Sequence, residues 1–402
     1  METPVGRELP LHGGGTDLGL FQKAKALERE AKNAILTSRT WHYEHMLGHG
    51  SYGVAMLLIE RDHLRSRRPR RVVLKLSLET AGGDNDLTQE AEALDLLRGH
   101  AHIVQQISYT KDVSSFQPTG GRIRRTLRRV AGAFRNPPEK LFGYLSGMSR
   151  SDAPALLLEY LENGNLIKIM EQIHDRRYQL PNRLLWGWYH CLVSACVAMT
   201  YAREGPINRP VELEVPQRDH QHLRLTHNDI APRNVMIDEL DPLVQAHRAT
   251  PKLALIDFGM ARQLPPGGER VAENRNLEDV NTFMLALVNP AIIINDRGFY
   301  PYGSNGLRTM AAGLFDGVRL SLLDPELRTL LAHSFRIGDD DEPFGRPSLA
   351  ETFERTRRGM LKPVESYQAQ VREGDDYIRW SDLDDLSYSF KPVMAPFQNL
   401  VM

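Results

Sequence analysis

Apolar and polar positions along the first half of the chain alternate at the spacing of strands. Trp41 to Leu47, Val54 to Ile59, Val72 to Leu76 and His102 to Ile107 each read as a strand. The run from Ala155 reads as a buried strand breaking into a polar turn near Gly164 before a helix. Ahead of them the charged run Phe21 to Leu36 has helical composition, after Gly- and Pro-rich residues up to about Gly15. In the second half, Leu184 to Arg203 is apolar almost all round, with Trp186, Trp188, Tyr189 and both cysteines, which predicts a helix at the centre of a large core. Two β-rich runs follow, Leu225 to Ile237 and Leu253 to Gly259. Each delivers one carboxylate to a loop, Asp229 and Asp257, with Asn234 close behind the first.

Composition narrows the class without naming a function. A chain of 402 residues, 41% hydrophobic and 25% charged, can bury a full core as one large or two modest domains. A formal net charge of -1 supplies no overall field to attract nucleic acid, so no DNA partner is expected. Cys191 and Cys196 sit inside the apolar helical run and read as small buried side chains rather than a disulfide or a metal pair. The start lacks a basic stretch and apolar core, and no window is long and apolar enough to span a bilayer. The expectation is an intracellular, cytoplasmic protein, with the nucleus as a second possible site.

Chemistry concentrates at a few positions. Gly48, Gly50 and Gly53 stand at G-x-G-x-x-G spacing; Val54 to Ile59 after them is a strand rather than a helix, so the glycines predict a hairpin lying over nucleotide phosphates. Lys75 stands inside an apolar strand, where its charge is costly unless paired. Glu90 and Glu92 are its candidate partners. Glu90 is preferred, because Leu94 and Leu97, four and seven residues on, turn that helix face to the core. Asp229, Asn234 and Asp257 form a hard-oxygen set suited to Mg²⁺ and to aiming a nucleophile at a phosphate.

The stretches His227-Asn228-Asp229 and Asp257-Phe258-Gly259, with Lys75 and the glycine hairpin, resemble the signature of the protein kinase-like superfamily over roughly residues 41 to 360. The resemblance implies an α+β fold of two lobes, an antiparallel β-rich small lobe (about 41–158) and a mainly helical large lobe (about 159–360). An N-terminal extension (1–40) and a C-terminal tail (361–402) flank them. It implies ATP and Mg²⁺ as cofactors. Asp229 would orient the acceptor hydroxyl and take its proton, Lys75 with Glu90 would hold the α- and β-phosphates, and Asn234 and Asp257 would hold metal. Leu158 would be the gatekeeper, the backbone of Glu159 and Leu161 would meet the adenine edge, Asn165 a ribose, and Met236 the adenine floor. Ala55 and Val73 complete the nucleotide set. His227 and Phe258 would stack as structural residues.

The sequence departs from that pattern in three ways. Asn228 replaces the usual Arg, and Met260 to Asp279 holds no Ser, Thr or Tyr, so switching by phosphorylation there is not expected. Ala231 stands where serine/threonine kinases carry a lysine, while Arg233 stands where tyrosine kinases carry an arginine and can supply positive charge to the transition state. Leu277 to Met284, which looks like the start of the family's central helix with a buried Asp279, follows Asp257 after only about twenty residues. No Ala-Pro-Glu intervenes. The leading expectation is a divergent protein kinase; the alternatives are a choline- or aminoglycoside-type small-molecule kinase and a pseudokinase scaffold. Pro206 to His222 reads as an inserted loop. The arginines of the 114–153 segment, Arg122 to Arg135, interleave with Ile123, Leu127, Val130 and Phe134. They read either as a dock for an acidic partner, an anionic membrane or RNA, or as a basic helix face in solvent.

Overall fold

The computed structural model describes residues 18–50, 53–61, 69–78, 86–114, 140–149, 152–167, 169–171, 180–203, 211–216, 221–248, 250–289, 300–303, 306–311, 314, 323–338 and 343–363. Ser51, Tyr52, the basic run Arg122 to Arg135 and the tail from 364 onward lie outside them.

The strand-like runs assemble into one antiparallel sheet. Strands β1 (Trp41–His49), β2 (Gly53–Glu60), β3 (Arg71–Ser77), β4 (Gln106–Thr110) and β5 (Ala155–Glu159) lie in the order β1-β2-β3-β5-β4. Because side chains alternate faces along a strand, Val72, Leu74 and Leu76 point one way and Val73 and Lys75 the other. The first set is buried with α1 (Leu18–Leu36), whose Ala24, Leu27, Ala31 and Ile35 recur at helical spacing, and with Leu141, Phe142 and Leu145 of α3 (Lys140–Leu145). The segment expected as an N-terminal extension thus contributes to the sheet's outer core, and the 114–153 segment contributes α3 to it. The opposite face meets α2 (Asp86–Leu96) through the Lys75–Glu90 ion pair.

One strand differs from expectation. The sheet strand predicted over His102 to Ile107 begins only at Gln106. Its first residues bond elsewhere: the Val104 N–H donates to Leu255 O at 3.0 Å, and the Leu255 N–H donates to His102 O at 2.9 Å. An apolar run scores as strand in either setting, and only the partner decides.

The second core is built around α4 (Asn182–Thr200), in which every residue but Arg183 is buried. Three short ladders and hairpins surround it. β6 (Leu225–Thr226) pairs with β9 (Arg262–Gln263), β7 (Val235–Ile237) with β8 (Leu253–Leu255), and β10 (Tyr300–Tyr302) with β11 (Leu307–Thr309). Helices α5 (Glu269–Val288), α6 (Pro325–Ser334) and α7 (Leu349–Met360) complete it. The architecture is therefore α+β with an antiparallel five-stranded sheet. Among the described residues no helix is long and apolar enough to cross a membrane.

Candidate functional site

Lys75 lies mid-strand on the inner face of the sheet, opposite Ala55 on β2 and Leu156 on β5. Its Nζ sits 2.6 and 2.8 Å from the two oxygens of Glu90 and 3.5 Å from Asp257 Oδ1. Glu90 is buried on α2 and also accepts from the Phe258 backbone N–H. Burial alone would pull the Lys75 ammonium down, but the Glu90 and Asp257 carboxylates outweigh it and hold its pKa above the ordinary value. Glu92, the other candidate partner, lies instead 3.9 Å from exposed Lys111. Val73, two residues before Lys75, faces Leu57 and Leu158 across the same surface.

The β1–β2 connection lies just past Lys75. Gly48 pairs with Ala55, and the Gly50 N–H donates to Gly53 O at 2.9 Å. Gly53 is required by close approach, since a Cβ there would meet Leu76 O at 2.8 Å. Among the described residues, chain neighbours aside, no atom lies within 4 Å of a Cβ built at Gly48 or Gly50.

The two carboxylate loops are positioned by the short ladders. β6 ends at Thr226 and the chain turns at Asn228, which is left-handed with φ 63°, a conformation Asn tolerates better than most residues. Its Nδ2 donates to Met260 O at 2.9 Å, so this side chain ties the loop to the segment after Asp257. Buried His227 does the same from beneath: its Nδ1 accepts the Asp229 N–H and its Nε2–H donates to Ile256 O, each at 3.2 Å. Both ring nitrogens serve the backbone, and burial holds the imidazole below its usual pKa, hence neutral. Its ring lies 4.6 Å from that of Phe258.

Asp229 is held by two donors. Arg233 pairs with one carboxylate oxygen, and Asn234 Nδ2 donates to the other at 2.7 Å and to the Asp229 carbonyl at 2.9 Å. Asn234 stands just before β7 and Asp257 just beyond β8, so a single hairpin presents both predicted metal ligands. Asp257 is itself left-handed, φ 66°, with half its side chain exposed. With the Asn234 amide hydrogens spent on Asp229, its Oδ1 and the open Asp257 carboxylate are hard oxygen donors of the kind Mg²⁺ takes, so these residues fit such an ion.

The turn after β5 docks on the same hairpin. Gly164, at φ +74°, lets the chain reverse, and its carbonyl accepts from the Ile237 N–H at 2.8 Å. Asn165 then bridges Met236. The Glu159 backbone N–H already donates to Gln105 O at 3.0 Å, and Leu161 two residues on is buried.

Two functional supports escape a linear reading. The buried anchor expected at Asp279 is Asn276 instead: Asn276 Oδ1 accepts the His227 N–H at 3.0 Å and its Nδ2 donates to Leu225 O at 2.8 Å. Asp279 is half-buried, and burial pushes its carboxyl up to about 6. Arg262 bonds Gln89 on α2 and the Ala261 carbonyl, fastening the helix that carries Glu90 to the segment after Asp257. A polar residue at helical spacing carries no mark of such a partner. A scan of protein-family models and a search of curated proteins return no match to this chain.

Proposed function

We propose that the chain is a Mg·ATP-dependent phosphotransferase with a two-lobed, protein kinase-like fold, passing the γ-phosphoryl group to a hydroxyl. The observation that carries the reading is the Lys75–Glu90 pair in contact with Asp257, whose neighbour Ile256 donates its N–H to the carbonyl of Asn234, the residue that braces Asp229. No simple structural role calls for a buried lysine, a half-exposed left-handed aspartate and an amide-braced carboxylate together.

In this reading Lys75 holds nucleotide phosphate oxygens, with Glu90 fixing its ammonium, and the backbone of the β1–β2 hairpin covers the phosphates. Asn234 and Asp257 hold Mg²⁺, which when bound neutralises charge on the phosphates. Asp229, oriented by Arg233 and Asn234, receives the acceptor's hydroxyl proton, and Arg233 places positive charge at the open side of the site. A protein hydroxyl is the first acceptor considered. A small alcohol or amino alcohol is the second, favoured by one feature: α5 begins at Glu269, so only a short strand and turn separate Asp257 from it and leave little chain to cradle a peptide.

The test is γ-labelled ATP supplied with a protein mixture and, separately, a panel of hydroxyl metabolites. Asp229→Asn should lower transfer by about 10²–10⁴-fold while sparing nucleotide binding. Label confined to metabolites selects the second acceptor. Label on neither, with nucleotide still bound, rejects turnover in favour of a scaffold.

A further inference from the structure

Behind the candidate site, on the far side of β8, His102, Cys191 and His247 converge from three unconnected segments: the link before β4, the middle of α4, and the short helical turn Gln245–His247 between β7 and β8. One ligand atom from each lies within 4.8 Å of the others, and the three residues are 1–2% exposed. Among the described residues neither ring nitrogen of His247 makes a well-formed hydrogen bond, although the Thr250 backbone lies close enough to interact with the ring. Leaving such buried groups unmet is costly.

We propose that these three side chains bind one structural zinc ion. The donor set is borderline-soft, two imidazoles and a thiol, which suits Zn²⁺ and disfavours Mg²⁺ or Ca²⁺. Glu214, itself buried, accepts from His102 Nδ1–H at 2.5 Å and from the His102 backbone N–H at 2.9 Å. That bond occupies Nδ1 and leaves Nε2 as the ring nitrogen that would face an ion, the carboxylate–histidine–metal arrangement in which an outer partner aims the ligand. Two imidazoles on one tetrahedral ion place their ring centroids about 5 Å apart, and these stand at 5.2 Å. On binding, the Cys191 thiol would lose its proton to solvent and coordinate as thiolate. Cys196 takes no part.

The ion would act as a brace. His102 O accepts from the Leu255 N–H in the strand that leads to Asp257, and Glu214 lies in the segment following Pro206, so one ion would fasten that insertion, α4, the sheet's entry link and the β7–β8 connection together. This inference is independent of phosphoryl transfer, and its test needs no activity.

The full-length chain, purified without chelator, should contain one zinc per chain by elemental analysis. Exchange for Co²⁺ should produce tetrahedral d–d bands and a thiolate-to-cobalt charge-transfer band. Cys191→Ala should abolish the charge-transfer band and Cys196→Ala should keep it; Glu214→Gln should weaken Co²⁺ binding by about 10–100-fold. Should Cys191→Ala not fold, the wild-type cobalt spectrum and His247→Gln decide. A folded wild-type chain that binds neither ion, or metal retained equally by folded Cys191→Ala, overturns the proposal.

Discussion

The sharpest test of the site's construction is a double-mutant cycle on Lys75 and Glu90, read as stability and therefore free of any assumption about catalysis. Lys75→Met leaves the Glu90 carboxyl, 3% exposed, with the Phe258 N–H but without its cation at 2.6 Å. Breaking a buried pair from one side costs about 3–5 kcal/mol. Glu90→Leu leaves the ammonium with Asp257 at 3.5 Å and some solvent, since Lys75 is 18% exposed, so its cost falls to about 2 kcal/mol. The double variant removes both charges and should cost less than the sum, with a coupling of about 2 kcal/mol. Denaturant melts at neutral pH measure all four corners. The sign of the pH dependence is a second check. In Lys75→Met an unpaired, buried Glu90 has a pKa above its unfolded value, so the penalty is present above the folded pKa and disappears as pH falls toward the ordinary carboxylate range, about 4.3. The deficit of that variant should therefore shrink on going from about pH 8 to pH 5. Strict additivity, or a deficit that grows with acid, would refute the geometry.

Asn276→Ala removes two buried bonds beneath the Asp229 loop, to His227 and Leu225, and should cost about 2–3 kcal/mol in a denaturant melt while lowering transfer; an unchanged melt would dismiss Asn276 as the anchor. Gly53→Ala forces a Cβ to 2.8 Å from Leu76 O and should destabilise by about 1–3 kcal/mol, whereas Gly50→Ala, with open space, should be close to neutral. Asp324 caps α6 through the Glu326 and Leu327 N–H groups and bonds Lys362 at 2.8 Å; burial would raise its carboxyl, but Lys362 and the cap bonds hold it below its usual value. Its contribution is present above the unfolded carboxylate pKa of about 3.9 and is lost as pH falls below that. Asp324→Ala should accordingly cost about 1–2 kcal/mol at neutral pH and less in acid, measured by melts across pH.

The polar residues gathered at the candidate site are legible because each sits at the end or in the middle of an apolar run where a polar side chain is conspicuous. Lys75 interrupts the alternation of β3, and Asp229, Asn234 and Asp257 punctuate β6, β7 and β8. Glu90 was found because helical spacing to Leu94 and Leu97 reports which way it faces. These are local signals, written within a few residues of the group concerned. What stayed hidden depends on partners remote in sequence. Asn276 reads as an ordinary helix-surface amide until α5 packs beneath β6. His102 to Thr110 is one apolar stretch, yet its first residues join β8 and its last join the sheet, because hydrophobic alternation records burial without saying against what. Likewise α1 reads as a charged extension, and only its placement over β1–β3 makes it core.

The sequence by itself determined strands β1, β2, β3 and β5, the central helix and the identity of the charged residues worth watching. Tertiary structure alone decided which charges meet: Lys75 with Glu90 and Asp257, and His102 with Cys191 and His247. Periodicity along a chain encodes the direction a side chain faces. The electrostatics of a site depend on distances between segments more than a hundred residues apart, as Lys75 and Asp257 are, and those distances exist only once both cores have packed.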